Sequence, residues 1–446
     1  MKLKKVFYIS IITLVLNACG DKSSTDLTTE VEEATPSQFF GIAGYRVGPY
    51  GPSGAPIATG YIDYLTLLNE RDGGLNGVRL SWEECETEYN TAKGLECYER
   101  LKTRNPLGPT AIHPMSTGIT YGLIDKAPVD QIPLITLGYG RTDASDGRVF
   151  PWVFPLMTNY WSQASAIVKF IETKEGGDKS LSGKKIVLLY HDSAYGKEPH
   201  EILKVEANNF GFDLVMIPVP HPGNEQQSQW MRIKKEQPDW VILWGWGVMS
   251  GTSIKTAKKV GFPREKMIGN WWSGAEVDTL AAGPSASTGY IAANMNLSGK
   301  NFEVVREILK HVYQKGKGGD ESYVGTVLWN RGVAQAMLTV EAVRNAQAKY
   351  GNTPMSGAQV RWGIENLSLT QAKLDELGFG GMVPPITVSC ENHEGPGVVR
   401  FQQWDGKKWL SISDWVLGDQ KLVRKMVEES AAKYASEKNI KYGCLS

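Results

Sequence analysis

Phe39-Phe40-Gly41-Ile42-Ala43-Gly44-Tyr45-Arg46-Val47 is followed by the Gly- and Pro-rich stretch Gly48 to Pro56, a helical stretch from Ile57 to Glu70 and a second apolar run, Val78 to Trp82. Aromatic and β-branched residues in short runs favour strands, and Gly/Pro clusters punctuate them. The order predicts strand, turn, helix, strand, a βαβ opening. Such a unit needs a crossover and therefore pairs its strands in parallel.

The alternation continues outward from this opening. A strand end at Ala111 to Ile112 and a strand at Ile132 to Leu137 precede a helix over Trp161 to Thr173 and the apolar strand Lys185 to Tyr190. A helix near Glu198 to Phe210, a strand at Leu214 to Pro218 and a helix over Glu225 to Glu236 come next. The last clear units are Trp240 to Trp244, the helix Ser250 to Val260 and Met267 to Asn270. Repeated units of this kind predict an α/β protein whose mainly parallel, doubly wound sheets are covered by helices. The alternation outruns a single sheet without a low-complexity linker, which predicts two α/β lobes rather than a string of domains.

The N-terminus carries a different signal. Lys2, Lys4 and Lys5 precede an apolar core from Val6 to Leu16 and then Leu16-Asn17-Ala18-Cys19. That is the pattern of a secretory leader, with a core shorter than the roughly 20 residues a lasting membrane helix needs. The expectation is a lipoprotein signal over residues 1–18 and a lipid anchor on Cys19. Residues 19–38 then serve as a polar tether.

Lysine plus arginine and aspartate plus glutamate each number 48, and loss of the three leader lysines leaves 45 against 48. No polyanion partner is implied, so nucleic acid is not an expected ligand. Of five cysteines, four remain after Cys19, an even number that favours disulfides outside the cytoplasm. Cys85 follows a strand and Cys97 lies on the next helical segment, so these two are paired. Cys390 with Cys444 would pin the C-terminal tail. There is no CxxC and no Cys/His cluster with zinc spacing, and no metal or other cofactor is expected.

Catalytic motifs are absent in their usual spacings. Gly44, Gly48, Gly51 and Gly54 match neither GxGxxG nor a Walker loop, and Pro49, Pro52 and Pro56 remove N–H donors. Gly247-Val248-Met249-Ser250-Gly251 has the wrong spacing for a nucleophile elbow. His191 beside Asp192, and His393 beside Glu394, are the residues a hydrolase or a metal site would use; strand-end or turn roles are their plainer explanation.

Aromatic residues give the stronger signal. Trp244, Trp246, Trp271 and Trp272 fall at or just beyond the C-terminal ends of two predicted strands. Ligands of open α/β sheets bind there, and indoles offer broad apolar faces with one N–H donor. Ser116 and Thr117, Thr136 and Tyr139 around Gly138, and Tyr195 occupy equivalent ends of other strands and could hold a carboxylate or hydroxyl.

The succession of these segments resembles the type I periplasmic solute-binding proteins of ABC importers, in particular the branched-chain amino acid group. The likeness rests on Gly48-Pro49 with Gly51 and Gly54 ahead of a helix, then Gly73-Gly74-Leu75-Asn76-Gly77. Further marks are His113-Pro114-Met115-Ser116, Thr136-Leu137-Gly138 and Asp192-Ser193-Ala194-Tyr195-Gly196. It implies two lobes joined by three hinge crossings, residues 39–156 plus 296–380 forming lobe one and residues 157–295 plus 381–446 lobe two, with a small organic ligand trapped between them.

By position, the resemblance assigns Tyr50 or Ser53, Ser116, Thr117, Thr136, Gly138 and Tyr139 to the ligand from lobe one. Tyr195, Trp246, Trp271 and Trp272 would close from lobe two. It further implies no catalysis, a membrane-anchored protein in the periplasm or at the cell surface, and delivery to a permease with its ATPase; a sensing subunit for a signalling receptor is the runner-up. Amino acid binders of the group pair the ligand ammonium with a second-lobe acid. Here that segment reads Asn270-Trp271-Trp272-Ser273-Gly274, with Glu276 further on. An unpaired ammonium in a closed cleft costs several kcal/mol. The ligand is therefore branched-chain amino acid-like only if Glu276 reaches it, and otherwise a bulkier aromatic or apolar compound.

Overall fold

A computed structural model describes residues 36–445. The leader, Cys19 and most of the tether lie outside the described residues. The first sheet orders its strands β2-β1-β3-β4-β5, with β1 at Gln38–Gly44, β2 at Leu80–Glu86, β3 at Ile112–His113, β4 at Leu134–Ile135 and β5 at Val153–Phe154. All four pairings are parallel.

The second sheet places β6 (Lys185–His191) beside β7 (Asp213–Val219) and β8 (Trp240–Trp244), and continues through β9 (Met267–Gly269) and β10 (Ile291–Asn294), all parallel. A hairpin of β13 (Val398–Trp404) and β14 (Trp409–Leu417) extends β10 antiparallel. A separate two-stranded ribbon joins β11 (Ser368–Leu369) to β12 (Ile386–Thr387). The chain passes from the first sheet to the second after β5. It returns after β10 to the helix Val327–Tyr350, which packs along the helix Gly51–Asp72, and crosses again before β13. These are the three crossings of a two-lobed type I architecture.

Local chemistry explains where sequence and structure part. Residues 51–56, expected in the turn, belong to the helix Gly51–Asp72. Pro52 sits in its first turn, where a missing N–H costs nothing because that group has no intrahelical partner. Gly73 closes the helix at φ +74° and returns its N–H to Leu68. The second strand runs to Glu86 rather than Trp82, so Cys85 lies on it.

Both disulfides are present, Cys85 with Cys97 and Cys390 with Cys444. The helix Gln420–Lys438 packs against both the helix Tyr160–Lys174 and the segment between β4 and β5. Glu428 pairs with Arg148 at 2.8 Å, Ser430 donates to Asp143 at 2.7 Å, and the ring of Tyr434 lies 4.8 Å from that of Phe150. The physical reason is an apolar stripe, Ala431 and Ala435, buried in the core cluster that contains Phe150 and Trp152. Among the described residues no helix is long and apolar enough to cross a membrane.

Candidate ligand-binding chamber

Because β1 to β5 and β6 to β10 run parallel within their sheets, the C-terminal ends of these strands gather the loops that face one another across the cleft. A small chamber of about 10 Å³, room for about one water-sized sphere in this closed arrangement, lies there. The first sheet supplies Tyr45 after β1, Tyr89 after β2, Met115, Ser116 and Thr117 after β3, and Tyr139 after β4. From the other side come Tyr160 at the start of the helix Tyr160–Lys174, Tyr195 after β6, Trp246 after β8 and Trp272 after β9. Seven of these ten residues are aromatic.

The aromatic rings brace one another. Trp246 and Trp272 meet edge to face at 5.0 Å, and Tyr139 reaches Trp272 at 5.7 Å. Tyr45 lies 6.3 Å from Trp246 and 5.1 Å from Tyr89. Such edge-to-face contacts fix ring orientation and add stability beyond area burial. Tyr89 at φ +59° and Met115 at φ +50° hold left-handed backbone, a conformation that costs non-glycine residues energy and is concentrated at binding sites.

The polar groups of the wall are neutral hydroxyls and indoles. Burial pushes the hydroxyls of Tyr45, Tyr89, Tyr139, Tyr160 and Tyr195 above the ordinary phenol range, so all five are protonated. Tyr195 donates to the Gly245 carbonyl at 2.8 Å, and the Tyr139 oxygen accepts from the Met115 amide at 2.7 Å. Trp272 Nε1 donates to Tyr160 Oη at 3.1 Å. The Trp246 indole N–H is buried beside the Tyr45 hydroxyl and makes no well-formed hydrogen bond. None of the lining side chains is a carboxylate or a cation.

Six of the eleven sequence-assigned residues therefore come together at the chamber: Ser116, Thr117, Tyr139, Tyr195, Trp246 and Trp272. The other five stand elsewhere. Tyr50 is one layer out, its ring 4.4 Å from Tyr89 and its hydroxyl turned to His191 and His221. Ser53 is carried off by the early start of the first helix and lines a separate interlobe crevice with Pro49 and Gly247. Thr136 is fully buried with an unpartnered hydroxyl. Gly138 is a packing position, since a Cβ there would meet Met295 at 2.9 Å and Trp271 at 3.2 Å.

Trp271 is wholly buried behind the wall, stacked on Tyr160 at 5.7 Å with 15° between the planes; Trp244 supports the same ring from another side. Sequence reasoning missed Tyr45, Tyr89, Met115 and Tyr160. All but Tyr160 lie within three residues of a strand end, so strand-end position was the available signal, and for Tyr89 it was hidden by ending β2 too early.

Glu276, the one acid that could have met an ammonium, points elsewhere: its Oε2 accepts from the Val327 amide at 2.9 Å, and it is no part of the chamber wall. Burial raises its pKa to about 7. Of the residues a hydrolase would use, His393 and Glu394 are structural. His393 is fully buried, stacked on Phe154 at 4.1 Å with Nδ1 on the Val153 carbonyl, and Glu394 accepts from the Asn159 amide at 3.0 Å.

Comparison with known proteins agrees with this architecture. A crystal structure described as an ABC transporter permease from the Pseudomonas fluorescens group is 44% identical, covers 92% of this chain and 99% of its own, and superposes with a TM-score of 0.85. A branched-chain amino acid ABC transporter protein from Thermus thermophilus with bound valine is 20% identical, with 88% and 99% covered and a TM-score of 0.73. A solute-binding protein from R. palustris in complex with benzoate is 19% identical, with 86% and 98% covered and a TM-score of 0.67. No curated protein matches the chain. The family model for periplasmic binding proteins spans residues 37–408. With two mainly parallel sheets, three crossings and a chamber between them, this chain belongs to the periplasmic binding protein family, a family of binding proteins and not of enzymes.

Proposed function

We propose that the protein is an extracytoplasmic solute receptor of an ABC importer, tethered by lipid on Cys19, that closes on a small aromatic or apolar molecule and hands it unaltered to a permease. One observation carries this reading: an aromatic chamber between the lobes with hydroxyl and indole donors but no carboxylate in its wall. An α-amino acid would have to bury its ammonium there without a counter-charge, a cost of several kcal/mol. A carboxylate, amide or alcohol meets the donors without that cost. Ligand affinity then follows from how much better the closed form holds the guest than the open one.

Calorimetric titration of the purified chain with benzoate, benzamide, valine and isoleucine tests the ligand class. The expected result is tighter binding of one of the aromatic compounds, recovered chemically unchanged. Tighter binding of the amino acids would overturn it. The anchor has its own test: radiolabelled palmitate is incorporated in cells and lost in Cys19→Ser. Co-purification of a permease from membranes carrying the anchored protein addresses delivery.

A further inference from the structure

Outside the chamber, three elements send polar side chains to one point at the lobe boundary. Tyr50 opens the first-lobe helix Gly51–Asp72, His191 ends β6, and His221 lies in the loop after β7. The Tyr50 hydroxyl is 2.9 Å from His191 Nε2 and 2.7 Å from His221 Nδ1. The imidazole centroids are 4.0 Å apart, with planes at 75°. His191 is fully buried, whereas His221 is exposed, so the point is reachable from solvent.

We propose that Tyr50, His191 and His221 form a transition-metal site, of the zinc type, that bridges the lobes and holds the closed form. The first argument is distance. Ligands of a tetrahedral zinc with bonds of about 2.0 to 2.1 Å are roughly 3.3 Å apart. The two oxygen–nitrogen separations here fall short of that by about half an ångström, a shift that slight opening of the lobes supplies. The metal would take the place of the phenol proton, and water would complete the shell.

The second argument is orientation. His191 Nδ1 is held by Ser193 Oγ at 2.8 Å. Metal-ligating histidines are oriented in this way by a bond from the other ring nitrogen, which leaves Nε2 free to coordinate. Asp192, next to His191 in the chain, is paired with Lys197 at 2.8 Å. Among the described residues no three His, Cys, Asp or Glu side chains converge to hold a metal. The convergence here depends on a phenol from the other lobe, so the full site exists only when the lobes meet.

Zinc ion alone, titrated calorimetrically into metal-free full-length protein, is the probe. The expected result is one site of micromolar Kd that weakens at least tenfold in His221→Asn, a change at an exposed side chain, and in His191→Asn. Tyr50→Phe keeps the ring against Tyr89 and removes only the oxygen. It should weaken zinc severalfold and abolish the decrease in radius of gyration that zinc produces in solution scattering of the unaltered chain. No zinc binding, or an affinity unchanged within twofold in His221→Asn, would overturn the site. Zinc that binds without compaction, or compacts Tyr50→Phe equally, would overturn the bridge.

Discussion

The guanidinium of Arg331 lies over the indole of Trp272, 4.8 Å from the ring centroid. Its nitrogens donate to Asn296 Oδ1, the Trp271 carbonyl and Asn294 Oδ1, each at 3.0 Å. One side chain from the helix Val327–Tyr350 thus ties the crossing after β10 to the loop that carries the chamber wall. Burial lowers the Arg331 pKa to about 9, so the cation persists at neutral pH.

Replacing Arg331 with Met should therefore destabilise the protein by about 3 kcal/mol or more, because three buried acceptors lose their donor at once. Urea denaturation followed by circular dichroism measures it. A loss below about 1 kcal/mol would show that the crossing does not depend on this cation.

Trp272→Ala removes a ring that touches Trp246 and Tyr139 and should weaken ligand binding by about 2 kcal/mol or more, the scale of a buried aromatic anchor. Trp272→Phe should recover part of the loss. Calorimetry with the tightest-binding solute decides, and unchanged affinity in the alanine variant would remove Trp272 from the site.

Glu206 is buried at 1% exposure beside the Ser165 hydroxyl, and desolvation raises its pKa to about 7. A carboxyl raised in the folded state favours folding when protonated, so its contribution is complete below the unfolded value near 4.5 and is lost as pH rises through about 7. Glu206→Gln should be more stable than the parent at pH 8, by roughly 2 to 3 kcal/mol, and less different at pH 4.5. Equal stability differences at both values would place the titration elsewhere.

The disulfides should contribute unequally. Cys85 and Cys97 are separated by 12 residues, Cys390 and Cys444 by 54. Loop-closure entropy predicts losses of about 3 and about 4 kcal/mol for the paired serine variants. Denaturant midpoints measure the order, and a larger loss from the shorter loop would show that native contacts, not chain entropy, set it.

Much of the fold was legible because parallel α/β units write their period into local sequence: Trp240–Trp244 was read to the residue, and other elements to within a few. The Gly48 to Pro56 segment was not, since a proline early in a helix looks the same in sequence as one in a turn. For the chamber, position at a strand end marked Ser116, Tyr139, Tyr195, Trp246 and Trp272. It could not separate Trp272 from its neighbour Trp271, one facing the cavity and the other packed behind Tyr160.

By itself the sequence determined the alternating elements, the cysteine pairs and the aromatic character of the strand ends, because each depends on residues near one another or on a simple count. Only the tertiary structure decided which side chains share the chamber, where Glu276 points, and that Tyr50 meets two histidines from the other lobe. Those relationships join residues from 51 to 171 positions apart, and their geometry is set by how two sheets pack across three crossings, which no local pattern encodes.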